Sequence, residues 1–261
     1  MRKTALITGA SAGFGVEFAR LFARHGNDVI LTARRSDRLA ELAASLEAEH
    51  DVNAHVIVAD LAAHNGARAL FDEVQERGLE VEYLVNNAGF GTFGPFVETD
   101  PEESMDLVRV NIAALTELTA LLLPAMVERR SGRVLNVASA AAFQPGPLMA
   151  TYYASKAYAL HFSEALNAEL EGTAVSVTAL CPGPVMTEFQ QVAGMETSGL
   201  VLHKRLISIE EVVAAGYEAM MRGKAYVIPG IGPRLLSFGV RFMPRRFVAK
   251  FVGRLQAKRA P

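Results

Sequence analysis

The chain has 261 residues, of which 51% are hydrophobic, so it is long and apolar enough to bury a large core as one α/β domain. Its single cysteine, Cys181, excludes an intrachain disulfide, no apolar run reaches the roughly 18 residues of a membrane-spanning helix, and the six histidines lack the spacing of a metal site. The net charge of −2, with the basic excess confined to the C-terminal segment, argues against nucleic-acid binding, and we expect a cytoplasmic protein without a targeting segment.

Apolar runs with β propensity alternate with longer amphipathic stretches over residues 1–230. A helix near residues 209–222 precedes a seventh, short run at 225–228. Continuously apolar strands that alternate with helices indicate an α/β, doubly wound parallel sheet of about seven strands, covered by helices on both faces. The first six runs predict strands near residues 4–8, 28–33, 53–59, 82–86, 132–138 and 174–181.

A glycine-rich turn over residues 8–15 follows the first predicted strand and opens the first predicted helix. Gly9, Gly13 and Gly15 allow a ligand to approach the backbone closely, and the N-terminus of the helix carries the positive end of its dipole. Such a turn is suited to a diphosphate at the crevice of an open α/β sheet. Ser11 and Phe14 lie within the same turn and belong to the candidate nucleotide site.

The second predicted strand ends at Arg34 and Arg35, where NAD-selective folds usually carry an acidic residue. A guanidinium pairs with a phosphate through its fork of donors, so this position favours the 2′-phosphate of NADP(H). Asp60, which precedes Leu61 at the end of the third strand, is expected either to accept an adenine amino hydrogen or to cap the next turn.

Tyr152 and Lys156 stand four residues apart in a helix-forming segment, with Ser139 upstream. Residues i and i+4 share one face of a helix, so the ammonium can lie beneath the phenol. A nearby cation lowers the pKa of a phenol, which would make Tyr152 a plausible proton donor or acceptor.

These motifs together resemble the short-chain dehydrogenase/reductase family over roughly residues 3–230. The shared motifs are T-G-x-x-x-G-x-G at residues 8–15, N-N-A-G at 86–89, a helix asparagine at Asn111, the serine Ser139, Y-x-x-x-K at Tyr152 and Lys156, and a P-G segment from Pro182. The resemblance implies a Rossmann-type fold and hydride transfer between a nicotinamide and a carbonyl or alcohol.

The resemblance also implies a role for each matched residue. Tyr152 would be the general acid or base, and Ser139 would hydrogen-bond the substrate oxygen. Lys156 would hold the nicotinamide ribose and lower the pKa of Tyr152, while Asn111 would order a water that relays protons. Together with the residues named from the turn and strands, the expected cofactor site comprises Gly9, Ser11, Gly13, Phe14, Gly15, Arg34, Arg35, Asp60, Leu61, Asn87, Ala88, Gly89, Tyr152, Lys156, Pro182, Gly183, Val185 and Thr187.

One departure from the family pattern is Ala12, where many NADP-dependent members carry a basic residue. Recognition of the phosphate would then depend more on Arg34, Arg35 and Ser11.

The expected substrate walls are apolar, which favours a lipophilic carbonyl or alcohol. A 3-oxoacyl thioester reductase is the alternative enzyme, and a non-catalytic NADP(H)-binding regulator is the alternative from another class. The wall residues after Ser139 are Ala140, Ala141, Ala142, Phe143, Leu148 and Met149, and those of a substrate lid at about residues 186–208 are Met186, Phe189, Val192, Met195, Leu200, Val201 and Leu202.

Residues 231–261 form a basic C-terminal extension with eight Arg or Lys and no Asp or Glu. Its pattern predicts an amphipathic helix, for which three interpretations remain open: packing on the body or on a second subunit, peripheral contact with the inner face of a membrane, and binding of an acidic carrier. The family resemblance implies a homodimer or homotetramer. The predicted helix has apolar residues at 247, 248, 251, 252 and 255, and basic residues at 246, 250 and 254.

Overall fold

The structure is a computed structural model that describes residues 2–185, 188–189, 193 and 207–257. Its centre is a sheet of seven parallel strands in the order β3-β2-β1-β4-β5-β6-β7. The strands are β1, Thr4–Thr8; β2, Asp28–Ala33; β3, Ala54–Val58; β4, Val81–Asn86; β5, Gly132–Val137; β6, Val175–Leu180; and β7, Tyr226–Val227.

Helices cover both faces of this sheet and continue beyond its last strand. They are α1, Gly13–Arg24; α2, Ser36–Glu49; α3, Gly66–Glu76; α4, Pro101–Val108; α5, Leu115–Glu128; α6, Ala150–Glu169; α7, Ile209–Met221; α8, Ile231–Gly239; and α9, Arg245–Gln256.

Alternate side chains of the buried strands face opposite layers of the core, as the period of a strand requires. In β1, Ile7 packs with α1, α2 and α7, for example against Phe18. Leu6 packs on the other face with α3 and α5, for example against Leu118. This two-layer burial explains why the strands are apolar without interruption.

The expected doubly wound fold is confirmed, and the first six strands lie within a residue or two of their predicted bounds. Two features differ from the prediction. The seventh strand has only two residues, and the C-terminal extension contains the further helix α8 before the predicted amphipathic helix, which is α9.

Helices α4 and α5 join through a π-helical segment, Arg109–Ala114, into one helix of 28 residues. By length and apolar composition alone this helix is able to cross a membrane, which differs from the prediction of no such segment. Leu118, Leu122 and Met126 of α5 are buried against the sheet. The segment is therefore a core helix of this fold.

One face of α9 packs on the body of the protein. Val248 and Val252 are buried against Met149 and Tyr153, and the Gln256 amide nitrogen donates a hydrogen bond of 2.7 Å to the Tyr153 hydroxyl. Of the three interpretations of the tail, packing on its own body therefore applies to this face.

Candidate active site

A cavity of about 880 Å³ lies at the carboxyl ends of the strands, where open α/β sheets bind ligands. Segments that follow six different strands meet there. The residues within two positions of these strand ends that line it include Gly9, Arg34, Ala59, Asn87, Ala138 and Pro182.

The glycine turn is shaped by close backbone contacts. Gly9 and Gly13 have φ values of +68° and +53°, which favour glycine. A Cβ at Gly15 would lie 2.2 Å from the Gly9 carbonyl oxygen, so the first turn of α1 packs directly on the loop. Gly9, Ser11, Gly13 and Phe14 line the cavity, whereas Gly15 is buried behind them.

Asn87 ties the end of β4 to the glycine turn. Its side-chain amide donates to the Thr8 carbonyl at 2.8 Å, and the backbone N–H groups of Asn87 and Ala88 both donate to the Thr8 hydroxyl at 2.9 Å. These bonds fix two walls of the cavity relative to each other.

Arg35 braces the same turn from β2. Its guanidinium donates to the Ser11 hydroxyl at 3.1 Å and to the Ser11 carbonyl at 3.2 Å. It also pairs at 3.1 Å with Glu188, whose second carboxylate oxygen accepts from Arg38 at 2.7 Å. Hydrogen bonds from Arg38 and Arg35 lower the pKa of Glu188. Arg34 is exposed and lines the cavity.

Asp60 caps the turn after β3, because its side chain accepts from the Ala62 backbone N–H at 2.9 Å. This contact is the second of its two expected roles. Asp60 and Leu61 also line the cavity beside the turn, so the first role stays a prediction.

Ser139, Tyr152 and Lys156 meet in the middle of the cavity. Ser139 is near enough to the Tyr152 hydroxyl to influence its pKa, and Lys156 Nζ lies 5.8 Å from the centroid of the Tyr152 ring. Lys156 Nζ donates at 2.7 Å to the Val137 carbonyl at the end of β5. Strand β5 and helix α6 thus position the three side chains together.

Burial dominates the electrostatics of this group. It raises the pKa of Tyr152 to about 12, against the lowering effect of the Ser139 side chain, and it lowers the pKa of Lys156 to about 8. The net effect is a raised pKa of Tyr152, because the cost of burying a phenolate dominates. The expected influence of the Lys156 charge on this pKa stays a prediction.

Asn111 lies in the π-helical segment, a type of irregularity that is frequent at functional sites. It is buried behind the cavity wall, where its amide donates at 3.0 Å to both the Phe90 carbonyl and the Ser155 hydroxyl. Ser155 in turn donates to the Tyr152 carbonyl at 2.7 Å. Through Ser155, Asn111 is therefore linked to the backbone of the tyrosine.

The P-G segment completes the wall next to Ser139. Pro182, Gly183 and Val185 line the cavity, and the Pro182 carbonyl accepts from the Ala140 backbone N–H at 2.8 Å. Cys181 is fully buried before it, and burial raises the pKa of its thiol to about 12. Thr187 and, apart from residues 188, 189, 193, 207 and 208, the expected lid lie outside the described residues.

The apolar wall differs in part from the one expected. Ala140, Ala141, Met149 and Phe189 line the cavity, but Ala142 and Phe143 pack in the core instead. Leu148 borders a separate small pocket.

The tail supplies wall residues that the sequence did not predict. They are Ile231, Gly232, Pro233, Leu236 and Ser237 from α8 and Leu255 from α9. The apolar spacing of α9 carried a signal for a helix, but nothing in it pointed to the cavity.

The residues present fit a nicotinamide dinucleotide. Gly9 and Gly15 form a close-packed turn at a helix N-terminus, where an added Cβ would collide, and Arg34 and Arg35 stand at the second strand end. The same cavity continues to Ser139, Tyr152 and Lys156, so a nucleotide end and a reactive end share one space.

Comparisons with known proteins agree with this geometry. The family model for short chain dehydrogenase matches residues 3–197. A short chain dehydrogenase from Pseudocercospora fijiensis is 39% identical over 190 residues, 71% of this chain and 60% of that protein. The very-long-chain 3-oxoacyl-CoA reductase from Anas platyrhynchos is 33% identical over 195 residues, 72% of this chain and 62% of that protein.

Among solved structures, a short-chain dehydrogenase from Sphingobium yanoikuyae in complex with NADPH is 34% identical, with a TM-score of 0.82. The match covers 92% of this chain and 93% of that one. In contrast, this chain spans less than two thirds of the length of the two curated relatives. With the family model matched over most of the chain and the fold shared along nearly its whole length, this protein belongs to the short chain dehydrogenase family of nicotinamide-dependent oxidoreductases.

Proposed function

We propose that this chain is an NADP(H)-dependent oxidoreductase that transfers hydride between the nicotinamide and a lipophilic carbonyl/alcohol pair, in the reducing direction. The observation that carries the proposal is the single cavity in which Ser139, Tyr152 and Lys156 meet both a nucleotide turn and an apolar wall. We further propose that residues 1–230 act as one catalytic domain and that residues 231–261 cover its substrate side.

The reduction adds a hydride to the carbonyl carbon and a proton to the carbonyl oxygen. NADPH, when bound, supplies the hydride. The Tyr152 hydroxyl donates the proton, and the Ser139 hydroxyl donates a hydrogen bond to the same oxygen. Because burial raises the Tyr152 pKa to about 12, the phenol is protonated at neutral pH, which supports its role as the acid of a reduction.

Lys156 and Asn111 support this proton transfer in different ways. The charge of Lys156 favours the phenolate that remains after Tyr152 gives up its proton. A Cβ at Gly89 would lie 3.0 Å from Asn111 Oδ1 and 3.4 Å from Lys156 Nζ, so both groups border the same small space. This proximity supports the proposal that Asn111 orders a water for proton relay to Lys156.

The preference for NADP(H) is proposed from Arg34 and Arg35 at the end of β2, and the NADPH complex of the Sphingobium relative supports it. Arginine side chains bind a phosphate through charged hydrogen bonds, whereas a carboxylate at the same position would repel the phosphate. Arg34→Asp should therefore weaken NADPH binding far more than NADH binding in a fluorescence titration. Equal weakening of both would remove the 2′-phosphate assignment.

The activity is tested by NADPH consumption over ketones and aldehydes of graded size and polarity. Tyr152→Phe should abolish turnover while NADPH still binds. Tyr158→Phe is the matched control, because Tyr158 lies on the same helix but is exposed and hydrogen-bonded to Thr116 at 2.8 Å. Unchanged turnover in Tyr152→Phe would refute the assigned proton donor, and tight NADPH binding without turnover of any compound would favour the non-catalytic regulator.

A 3-oxoacyl thioester is the second candidate substrate. The apolar wall of the cavity, the basic tail and the resemblance to a very-long-chain 3-oxoacyl-CoA reductase favour it. Turnover of 3-oxoacyl-CoA and of free ketones of the same chain length separates the two candidates, since only a thioester reductase should prefer the CoA form.

We also propose that the protein is cytoplasmic, peripheral to the inner face of a membrane, and a homodimer or homotetramer. The buried face of α9 leaves its other faces for such contacts. Light scattering after size-exclusion chromatography measures the assembly directly, and a monomer at all concentrations would contradict the oligomer.

A further inference from the structure

The tail has two apolar stripes, and only one of them is covered. In α9, Val248, Val252 and Gln256 share one stripe and are buried on the body. The neighbouring stripe contains Phe247 and Phe251, which are 56% and 49% exposed although their rings stack on each other. A third stripe is basic, with Arg246, Lys250 and Arg254. The exposed aromatic stripe therefore lies between the buried and the basic ones.

Exposed apolar side chains concentrate in this tail. Of sixteen large hydrophobic side chains that are exposed within the described residues, nine lie in residues 231–257. Scattered exposed hydrophobic residues need no explanation, but a concentration of them in one segment of the chain indicates an interaction surface. We call these nine residues the apolar ridge: Ile231, Leu235, Leu236, Phe238, Phe242, Met243, Phe247, Phe251 and Leu255.

The charge of the tail points to an anionic partner. Its six described cations form no ion pair with any described residue, and the tail has no acidic residue. Aromatic and aliphatic side chains beside unpaired cations match an anionic bilayer, which takes up both. The cations are Arg234, Arg241, Arg245, Arg246, Lys250 and Arg254.

The ridge is continuous with the mouth of the cavity. Ile231, Leu236 and Leu255 line the cavity and are at the same time exposed, Ile231 by 80% and Leu236 by 67%. These residues come from both tail helices, so the two helices form one apolar rim. A surface in contact with the ridge is also in contact with this rim.

We propose that the tail docks the protein on an anionic lipid bilayer through the apolar ridge, and that docking turns the mouth of the cavity toward the acyl chains. A lipophilic substrate then reaches Tyr152 from the bilayer without crossing water. The docking depends only on the surface, whereas the access route rests on the proposed function.

The chain has no tryptophan, so a single introduced Trp reports on its own position. Phe251→Trp places it on the ridge, Leu236→Trp on the rim, and Val97→Trp on a side chain that is 91% exposed outside the tail. Each variant is mixed with vesicles of phosphatidylcholine and phosphatidylglycerol that carry brominated acyl chains.

The proposal expects quenching and a blue shift for Trp at 251 and at 236, and neither for Trp at 97. No quenching at low salt would overturn the docking. Quenching at 251 without quenching at 236 would overturn the orientation of the cavity. Because this readout needs neither NADPH nor turnover, its failure is distinguishable from failure of the proposed function.

Charge variants test the choice of partner. Each cation near an anionic surface contributes roughly fivefold to binding, so Arg245→Gln with Arg246→Gln should weaken vesicle binding, measured by co-sedimentation, about 25-fold. The control removes the same charge from α1, with Arg20→Gln and Arg24→Gln, and should bind as the wild type does. If the wild-type protein does not bind vesicles and Phe247→Ser with Phe251→Ser converts an oligomer to a monomer, the ridge is an interface between copies and the proposal fails.

Discussion

Variants of the hydrogen bond between Gln256 and Tyr153 measure how much this contact stabilises the packing of helix α9 on the body. Both side chains are buried, and the Gln256 amide oxygen has no hydrogen-bond partner among the described residues. Tyr153→Phe keeps the ring that packs on Val248 but leaves the Gln256 amide nitrogen unpaired as well. An unsatisfied buried group costs about 1–3 kcal/mol, so this variant should lose that much stability.

Gln256→Leu should cost less than Tyr153→Phe, because it leaves one hydroxyl without a partner but removes the unpaired amide oxygen. The double variant replaces both polar partners by apolar groups and should return to within about 1 kcal/mol of the wild type. The two single changes are therefore strongly non-additive, as contacting residues usually are.

Thermal unfolding measures the global effect, at about 2–4 °C for each kcal/mol in a chain of this size. Hydrogen exchange of the α9 amides measures the local effect, since a tail can open without global unfolding. If the double variant is as unstable as Tyr153→Phe, the two side chains are not coupled, and the packing of α9 on the body must be revised.

Three further predictions concern the cofactor side of the cavity. Glu188→Gln should tighten NADPH binding about 2–5-fold with little effect on NADH binding, because the Glu188 carboxylate occupies arginine donors that would otherwise bind a 2′-phosphate. Unchanged NADPH affinity in a fluorescence titration would contradict this. Burial lowers the pKa of Lys156 from 10.5 to about 8, so between these values the unfolded chain binds a proton that the folded chain lacks, and the stability of the protein increases as pH rises through this window. Lys156→Met should therefore have a higher melting temperature than the wild type at pH 7, and the difference should disappear toward pH 10.5. A difference in melting temperature that does not change with pH would argue against this titration. Gly15→Ala should lose both stability and NADPH binding, because its Cβ would lie 2.2 Å from the Gly9 carbonyl oxygen. The control Gly239→Ala should keep both, since no atom lies nearer than 3.9 Å to its Cβ. Equal losses in the two variants would exclude the close contact as the cause.

The fold could be predicted from the sequence because its signals are local. Six apolar runs, each buried on two faces, define strands without reference to the rest of the chain, and the glycine turn needs only its own neighbours. The predicted length of strand β7 was too great, because its pairing with β6 ends after Val227. Where this pairing ends depends on the point at which the following chain leaves the sheet.

The remainder depended on contacts between distant segments. The sequence marks both Phe251 and Val252 as apolar, and only the docking of α9 on Met149 and Tyr153 decides which of them is buried. The pKa of Tyr152 follows from burial, which cannot be read from the four-residue spacing to Lys156. The bracing of Ser11 by Arg35 likewise appears only when β2 lies beside β1.

The division of the cavity between body and tail has a consequence for how the substrate range of this protein can change. The body provides Tyr152, the proposed proton donor, and the glycine turn, whereas residues from 231 onward, which lie beyond the matched family model, provide a separate wall. Relatives with nearly the same first two hundred residues are thus free to accept different compounds. Exchange of the tail alone is therefore a route to new selectivity that leaves the chemistry untouched, and sequence identity over the body is a poor guide to the compound that is reduced.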